Sequence, residues 1–390
     1  MQAVASYTLP PDQYARAIAY AHARYALHFA SFAVSVLVLA AMLRFRMASR
    51  LRRYHPAIVI GAVLILAALA DLPLDAIRHS LGLRFDISVQ SWPSWFWDWT
   101  KEQLAGLIIG ISALWPFYIL LRGSPRRWWI YAWLASIPIS IASVYADPWL
   151  FEPLFNKFEP LARAHPELVA PIEGLLHRAG ISIPSERLFQ MDASTKTNSL
   201  NAYVSGFGPS RRVVLYDTII RKESGPALLT TFGHELGHYA LDHIGKGLLF
   251  GSVLFLIGIF LASRTIRFVI AGWGARLGIR EVSDLASLPL FLLFIEVAGL
   301  VSEPLVNAYS RYQEHEADVY SLEVTHGVVP DAGQAAARAF QIEGETDLEE
   351  PTPNPFIVFW MYSHPPTAER LRFALEYDPW SQGRAPKYVR

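Results

Sequence analysis

The sequence contains no cysteine among its 390 residues. A chain without thiols cannot form a disulfide framework, a thiolate metal site or a cysteine nucleophile. The absence leaves the cellular compartment open, because reducing and oxidising compartments both hold cysteine-free proteins.

Charged residues are also scarce. They make up 17% of the chain and hydrophobic residues 53%, whereas roughly 25% of an ordinary globular protein is charged. The 34 basic and 34 acidic residues cancel to a formal net charge of zero. This composition excludes a disordered chain, a coiled coil and a nucleic-acid-binding protein.

The apolar residues are concentrated in six runs. A run of ~20 apolar residues crosses a bilayer as a helix, because a helix satisfies its backbone hydrogen bonds internally. Four tryptophans between residues 92 and 99 support this interpretation, since tryptophan favours the membrane interface. The alternative is a set of helices buried in a large soluble core. The predicted spans are 26–43, 57–70, 104–121, 128–146, 248–262 and 285–301.

Two stretches have the composition of soluble protein, residues 147–231 and residues 307–390. The first contains turn residues and short apolar alternations, which predict one or two helices and a few strands. The predicted helical part is 160–178, and the predicted strands are 187–191, 200–206 and 212–216.

The clearest chemical signal is His234-Glu235-Leu236-Gly237-His238. On a helix, residues four apart share a face, so both imidazoles can bind one metal ion while Glu235 holds the attacking water. A helix is predicted here because Pro226 stands at its start, with Ser224 as the N-cap. The alternative is a pair of structural histidines on a buried helix face.

Catalytic zinc needs three protein ligands and one open position. The metzincin position for a third histidine, six residues after His238, holds Ile244, which excludes that subclass. His243 is turned too far around the helix to complete the site. A carboxylate on a second helix is the usual alternative.

The segment 310–318 offers such a carboxylate. Glu314 and Asp318 are four residues apart and share a helix face. Glu314 could therefore bind the metal while Asp318 supports a histidine or arginine beside it. Glu316 points elsewhere, and we expect it to be a solvated charge.

These motifs resemble the type 1 CAAX prenyl protease family, which are integral-membrane zinc metalloproteases of the gluzincin group. The likeness runs from about Arg24 to Arg372. Eukaryotic members carry one more span before the region that matches residues 25–28. The matching segments are HELGHYALDH at 234–243, SRxxExxAD at 310–318, YADPWLFEPLFNKF at 145–158, NAY at 201–203, RVVLYDT at 212–218 and SHPPTAERL at 363–371.

The resemblance implies the composition of the zinc site. Glu314 would be the third ligand beside His234 and His238, with one Zn²⁺ ion per chain. Glu235 would be the general base, and Asp318 would support the ligands from behind. Zinc would polarise the scissile carbonyl while Glu235 takes the proton of the attacking water.

The resemblance also implies how substrate is held. Asn201, Ala202 and Tyr203 would lie on an edge strand that binds an extended peptide by strand addition. His364 would help to stabilise the oxyanion, and Arg370 would pair with the carboxylates near the zinc.

The predicted fold is mainly α, a polytopic membrane helical barrel of about six spans that encloses a chamber. A gluzincin-like protease domain with a small β-sheet accompanies it. Asp71, Asp75 and Glu296 fit a water-filled interior, because a lipid-facing carboxylate is costly; hydrogen bonds between protonated acids are the alternative. The predicted segments are 1–147 with four spans, 148–245 with the zinc helix, 246–306 with two spans and 307–390 completing the zinc site.

The predicted function is that of a membrane-embedded zinc metalloendopeptidase acting on peptides or lipidated polypeptides that enter the chamber, in a bacterial inner membrane or its equivalent. An HtpX-like quality-control protease shares the zinc helix, but this chain is longer and carries the additional segments at 145–147 and 201–203. A third hypothesis is a non-proteolytic transporter or chaperone whose zinc is structural. Glu235 opposes it, because a closed structural site needs no base beside its ligands.

Arginines are unevenly distributed between the two sides of the predicted spans. The segments 44–55, 122–127 and 264–280 lie on one side and hold twelve arginines, whereas the short loops opposite hold few. The positive-inside rule therefore places the catalytic region outside the cytoplasm. The resemblance to eukaryotic proteases implies the reverse orientation.

Overall fold

The computed structural model describes residues 3–223 and 225–389. The helices are α1 (Pro11–Arg44), α2 (Met47–Arg50), α3 (Pro56–Arg84), α4 (Trp92–Gly123), α5 (Trp128–Leu150), α6 (Glu152–Phe155), α7 (Leu161–Ala164), α8 (Pro166–Ala179), α9 (Asp217–Lys222), α10 (Gly225–Ala240), α11 (His243–Leu277), α12 (Leu288–Thr325), α13 (Ala332–Thr346), α14 (Pro355–Met361) and α15 (Thr367–Glu376). The strands are β1 (Phe158–Pro160), β2 (Leu188–Met191), β3 (Ala202–Ser205) and β4 (Arg212–Tyr216).

Six of the described helices are long and apolar enough to cross a membrane, and they include all six predicted spans. They are α1, α3, α4, α5 with its continuation, α11, and α12 with the helical turn at residues 285–287 that precedes it. Each helix extends beyond the apolar run that predicted it, because helical hydrogen bonding continues into the polar flanks. The longest extension belongs to α12, which continues from the sixth span to Thr325 and carries Glu314 and Asp318. The segment boundary predicted at 306 therefore lies inside a continuous helix.

The arginine-rich loops meet at one end of the membrane helices. Arg46 donates a hydrogen bond to the carbonyl of Arg276 (2.9 Å). Arg52 forms an ion pair with Asp284 (2.5 Å), which lies in the loop before α12. Arg267 donates to the carbonyl of Pro125 (2.8 Å) in the loop after α4. These contacts place the three loops on the same side of the membrane.

We expect this arginine-rich end to face the cytoplasm, because positive charge is retained on that side during insertion. The cysteine-free chain allows a direct measurement with single cysteines. Gly123→Cys lies at the arginine-rich end, and Ser381→Cys lies in the exposed segment after α15. A membrane-impermeant thiol reagent should label Ser381→Cys in intact cells and Gly123→Cys only after permeabilisation. The opposite labelling pattern would establish the orientation implied by the eukaryotic resemblance.

Two acidic side chains within the membrane helices, Asp71 and Asp75, have polar partners. Asp71 accepts a hydrogen bond from Ser35 (3.4 Å), so α1 and α3 share a polar contact. Asp75 pairs with Arg78 (2.6 Å), which also donates to Ser31 of α1 (3.0 Å). The partners of these two acids are hydroxyl and guanidinium groups rather than other carboxyl groups. These partners fit a polar interior between the helices. Glu296 instead lies near the carboxyl group of Asp71, so paired acids remain the alternative for that residue.

The four strands form one sheet in the order β1-β2-β4-β3. Strand β4 pairs in parallel with β2 and antiparallel with β3, where Ala202 lies opposite Leu215. Strands β2, β3 and β4 confirm the three predicted strands. Strand β1 was not predicted, because its three residues end in Pro160 and show no alternation. The order leaves β3 as an edge strand.

Helix α10 packs closely against α12, and two glycines allow this approach. A Cβ atom on Gly237 would lie 3.0 Å from the Cα atom of Ala317, and one on Gly233 would lie 3.1 Å from Oγ of Ser321. Contacts that short would push the helices apart. The glycines inside the zinc-helix motif thus bring its histidines within reach of the carboxylates of α12.

Candidate metal centre and active site

Helix α10 forms as its sequence predicts. It begins at Gly225 with Pro226 in its first turn, where the missing N–H of proline is not needed. The N-cap predicted at Ser224 lies outside the described residues. His234 and His238 face the same side of the helix, and their Nε2 atoms are 3.1 Å apart.

Glu314 completes a group of three potential metal ligands. Its Oε2 atom is 3.1 Å from Nε2 of His234, and its Oε1 atom is 3.5 Å from Nε2 of His238. The ligand atoms of the three residues all lie within 4.8 Å of one another. Oε2 of Glu314 is buried and has no hydrogen-bond partner among the described residues. Two imidazole nitrogens and one unsatisfied carboxylate oxygen fit a divalent metal ion with an open coordination position.

Asp318 and Arg370 support His234 from behind. Oδ1 of Asp318 lies 2.8 Å from Nδ1 of His234, which leaves Nε2 directed toward the ligand group. Arg370 donates two hydrogen bonds to the Asp318 carboxylate, at 2.7 and 3.0 Å. Burial alone would lower the pKa of Arg370, but the charge of Asp318 outweighs it and raises that pKa above its ordinary value. Arg370 therefore stays charged and fixes the carboxylate.

Glu235 lies on the same helix between the two histidines. Its residue exposure is 8%, and its side chain lines the central cavity. Burial raises the pKa of Glu235 above its ordinary value, although the two neighbouring histidines act in the opposite direction. A buried carboxylate beside a metal group is positioned to accept a proton.

His364 reaches the same group from the segment between α14 and α15. Its Nε2 atom is 3.3 Å from Oε2 of Glu314, and its Nδ1 atom is 3.0 Å from Oγ of Ser363. Its side chain is 56% exposed. His364 also lines the central cavity, where it can donate a hydrogen bond to a bound molecule.

A cavity of about 680 Å³ joins these residues to the edge strand. Asn201, Ala202 and Tyr203, at and beside the start of β3, line it together with the ligand group. The side of β3 not paired with β4 is available for main-chain hydrogen bonds. The structure thus brings all the site residues predicted from sequence around one cavity.

Three further acidic residues, Glu343, Asp347 and Glu349, also line the cavity. Burial raises the pKa of Glu343 and that of Asp347 to about 7 each. The acidic, proline-rich composition of residues 343–355 predicts a loop, whereas Glu343 lies on α13. The apolar pattern of α13 could have signalled the helix, but nothing in the sequence shows that it faces the metal group.

The expectation that Glu316 is a solvated charge was wrong. Glu316 is 7% exposed and accepts a hydrogen bond from the hydroxyl of Tyr388, while Nζ of Lys387 lies 3.3 Å away. His243, which was excluded as a ligand, is not in the metal-ligand group but contacts His238. The contacts of Glu316 come from residues that are distant in sequence. The position of His243 depends on a turn whose direction the motif does not specify.

Two protein families match this chain. Residues 162–378 match the family described as Peptidase family M48, and residues 2–157 match the family described as CAAX prenyl protease N-terminal, five membrane helices. In the described part of that second region, four helices are long and apolar enough to span a membrane.

Two relatives and one solved structure illustrate the similarity. A Bacillus subtilis protein with the name Uncharacterized metalloprotease YhfN is 33% identical over 81% of this chain and 72% of its own. CAAX prenyl protease 1 of Saccharomyces cerevisiae is 27% identical over 88% of this chain and 77% of its own. The crystal structure of S. mikatae Ste24p superposes with a TM-score of 0.79 at 23% identity, covering 94% of this chain and 91% of that one. The last comparison shows a common fold.

Proposed function

Because this chain belongs to peptidase family M48 and is a multi-pass membrane metalloprotease, we propose that it is a zinc endopeptidase for membrane-associated polypeptides, including prenylated ones. The observation that carries the proposal is the juxtaposition of the His234–His238–Glu314 group with Glu235 in one cavity. A closed structural site would not place a buried carboxylate beside its ligands.

In this proposal His234, His238 and Glu314 hold one Zn²⁺ ion per chain. When bound, zinc supplies a Lewis acid and lowers the pKa of the attacking water. Glu235 accepts the proton of that water and then passes it to the leaving amine. Glu235 can serve in both transfers because it lines the same cavity as the three ligands.

His364 has a separate role in the proposed reaction. Negative charge develops on the scissile carbonyl oxygen as water attacks, and a donor aimed at that oxygen stabilises it. His364 lines the cavity, and its Nε2 atom lies 3.3 Å from Oε2 of Glu314, which places a donor beside the ligand group. Asp318 and Arg370 act indirectly, because they hold His234 in the orientation that a ligand requires.

Strand β3 is the proposed docking site for the substrate backbone. A peptide bound along Asn201, Ala202 and Tyr203 would extend the sheet and pass the metal group in an extended conformation. Main-chain hydrogen bonds tolerate many side chains. Selectivity would then come from the membrane helices, whose polar interior and apolar walls can receive a polypeptide with a lipid attached.

Paired peptides test the proposal. A peptide that carries a farnesyl group should be cleaved with a kcat/KM on the order of tenfold or more above that of the unmodified peptide, since burial of only two methylene groups accounts for that ratio. Methylation of those backbone nitrogens of the substrate that face β3 should abolish cleavage of both peptides. Zinc content and cleavage are measured on the purified full chain.

The outcomes separate the alternatives. Equal cleavage of both peptides would favour the HtpX-like quality-control protease. Bound zinc without cleavage of either peptide, or of any denatured membrane protein, would favour a structural zinc site and contradict the proposal.

A further inference from the structure

The second ring nitrogen of His238 faces another histidine. Nδ1 of His238 lies 2.9 Å from Nδ1 of His243, and the two rings are 4.8 Å apart at an angle of 80°. Nε2 of His238 is directed to the other side, toward His234 and Glu314. His238 therefore has the metal group at one nitrogen and His243 at the other.

We propose that His243 is a positioning residue for the metal ligand His238. The inference rests on the proposed role of His238 as a ligand. A histidine that binds a metal through Nε2 carries its hydrogen on Nδ1 and donates it to a neighbouring acceptor. Nδ1 of His243 is that acceptor, so His243 carries its own hydrogen on Nε2. His243 thus sets both the tautomer and the ring orientation of His238.

In this arrangement each of the two histidine ligands has a hydrogen-bond acceptor at its Nδ1 atom. His234 has the Asp318 carboxylate 2.8 Å from its Nδ1 atom, whereas His238 has the imidazole of His243 at 2.9 Å. A carboxylate accepts from His234 as an anion, and His243 accepts as a neutral ring. The pair around His238 therefore adds no charge next to the metal group.

The backbone at the start of α11 explains how His243 reaches this position. Asp242 has a φ of 51°, in the left-handed region that non-glycine residues rarely adopt. This residue reverses the chain between α10 and α11 and returns His243 toward α10. Arg211 holds the turn, since it donates to the Asp242 carboxylate (2.5 Å) and to the carbonyl of Tyr239 (3.1 Å).

Glu316 faces the far nitrogen of His243. Nε2 of His243 is buried, lies 3.9 Å from Oε2 of Glu316 and has no hydrogen-bond partner within the described residues. Glu316 is itself held by the Tyr388 hydroxyl and by Lys387. A carboxylate at this distance favours the tautomer with hydrogen on Nε2, which is the tautomer that accepts from His238.

The segment 387–389 is anchored on the same face of α12. The backbone N–H groups of Lys387, Tyr388 and Val389 donate to the carboxylate of Glu323, which is fully buried. Glu323 and Glu316 are seven residues apart, which is two helical turns. The anchored segment therefore keeps Tyr388 over Glu316.

The test measures zinc release from purified full-length variants in excess chelator. Substitution of a group that supports a zinc ligand costs about 10- to 100-fold in metal affinity, so His243→Ala should release zinc faster by that factor. His243→Asn places an amide oxygen near the position of Nδ1 and should restore release to within about threefold of the wild-type rate. The visible spectrum of the cobalt-substituted protein should change in His243→Ala and return toward wild type in His243→Asn.

Two controls keep the result interpretable. His326→Ala removes an imidazole that stacks on Trp380 and should release zinc at the wild-type rate. Thermal unfolding of the metal-free variants identifies any that fail to fold. The proposal would be overturned if His243→Ala released zinc at the wild-type rate, or if the Ala and Asn variants released zinc equally faster than the wild type. Failure of the wild-type protein to bind zinc, or retention of zinc by His238→Ala, would instead overturn the proposed function.

Discussion

Glu235→Gln should abolish peptide cleavage and leave zinc in place. The amide of glutamine has nearly the same shape as the carboxylate but cannot accept a proton from water. General-base catalysis contributes about 10²- to 10⁴-fold, and a loss of at least that size is expected in kcat. The measurement is kcat with the farnesylated peptide, together with zinc content of the same preparation.

The expectation depends on the buried position of Glu235. Its carboxylate lines the cavity beside His234 and His238 but is not one of the three grouped ligands. A matched control is Glu345→Gln, since Glu345 is exposed on α13. That control should keep the wild-type kcat. Residual cleavage above one tenth of wild type in Glu235→Gln would rule out Glu235 as the base, and loss of zinc would instead assign it to metal binding.

Glu314→Ala should lose the metal. Two imidazoles would remain, whereas catalytic zinc sites use three protein ligands. Removal of one ligand should weaken zinc binding by more than the ~10- to 100-fold loss typical of a supporting residue. Zinc occupancy after dialysis and affinity from chelator competition both measure the effect, independently of substrate.

Glu303→Ala provides the control for this variant. Glu303 lies on the same helix and pairs with His28 at 3.1 Å, so its removal also deletes a partly buried carboxylate. Its zinc affinity should equal that of the wild type. If Glu314→Ala retained full zinc occupancy, the third ligand would have to be another residue.

Local periodicity explains why parts of this site could be predicted from sequence. His234 and His238 are four residues apart, as are Glu314 and Asp318, and helical geometry alone places each pair on one face. The apolar runs predicted the six spans in the same way, since a bilayer requires a minimum helix length. Such inferences need no knowledge of distant contacts.

The remaining features depend on contacts between distant segments. The partner of Glu316 is Tyr388, which is 72 residues away, and no spacing rule connects them. The direction of His243 depends on a left-handed residue at Asp242, where the sequence shows no glycine. Strand β1 forms only because β2 offers it an edge to pair with.

Helix α12 combines a membrane span and the proposed metal-ligating carboxylate of Glu314 in one uninterrupted helix of 38 residues. Adding or deleting one residue in its apolar part would turn everything beyond it by about 100° and shift it by about 1.5 Å along the axis. Glu314 would then point away from the two histidines of α10. The length of this transmembrane segment is therefore coupled to the geometry of the metal centre, and the span cannot adapt to a thicker or thinner bilayer by single-residue insertions or deletions.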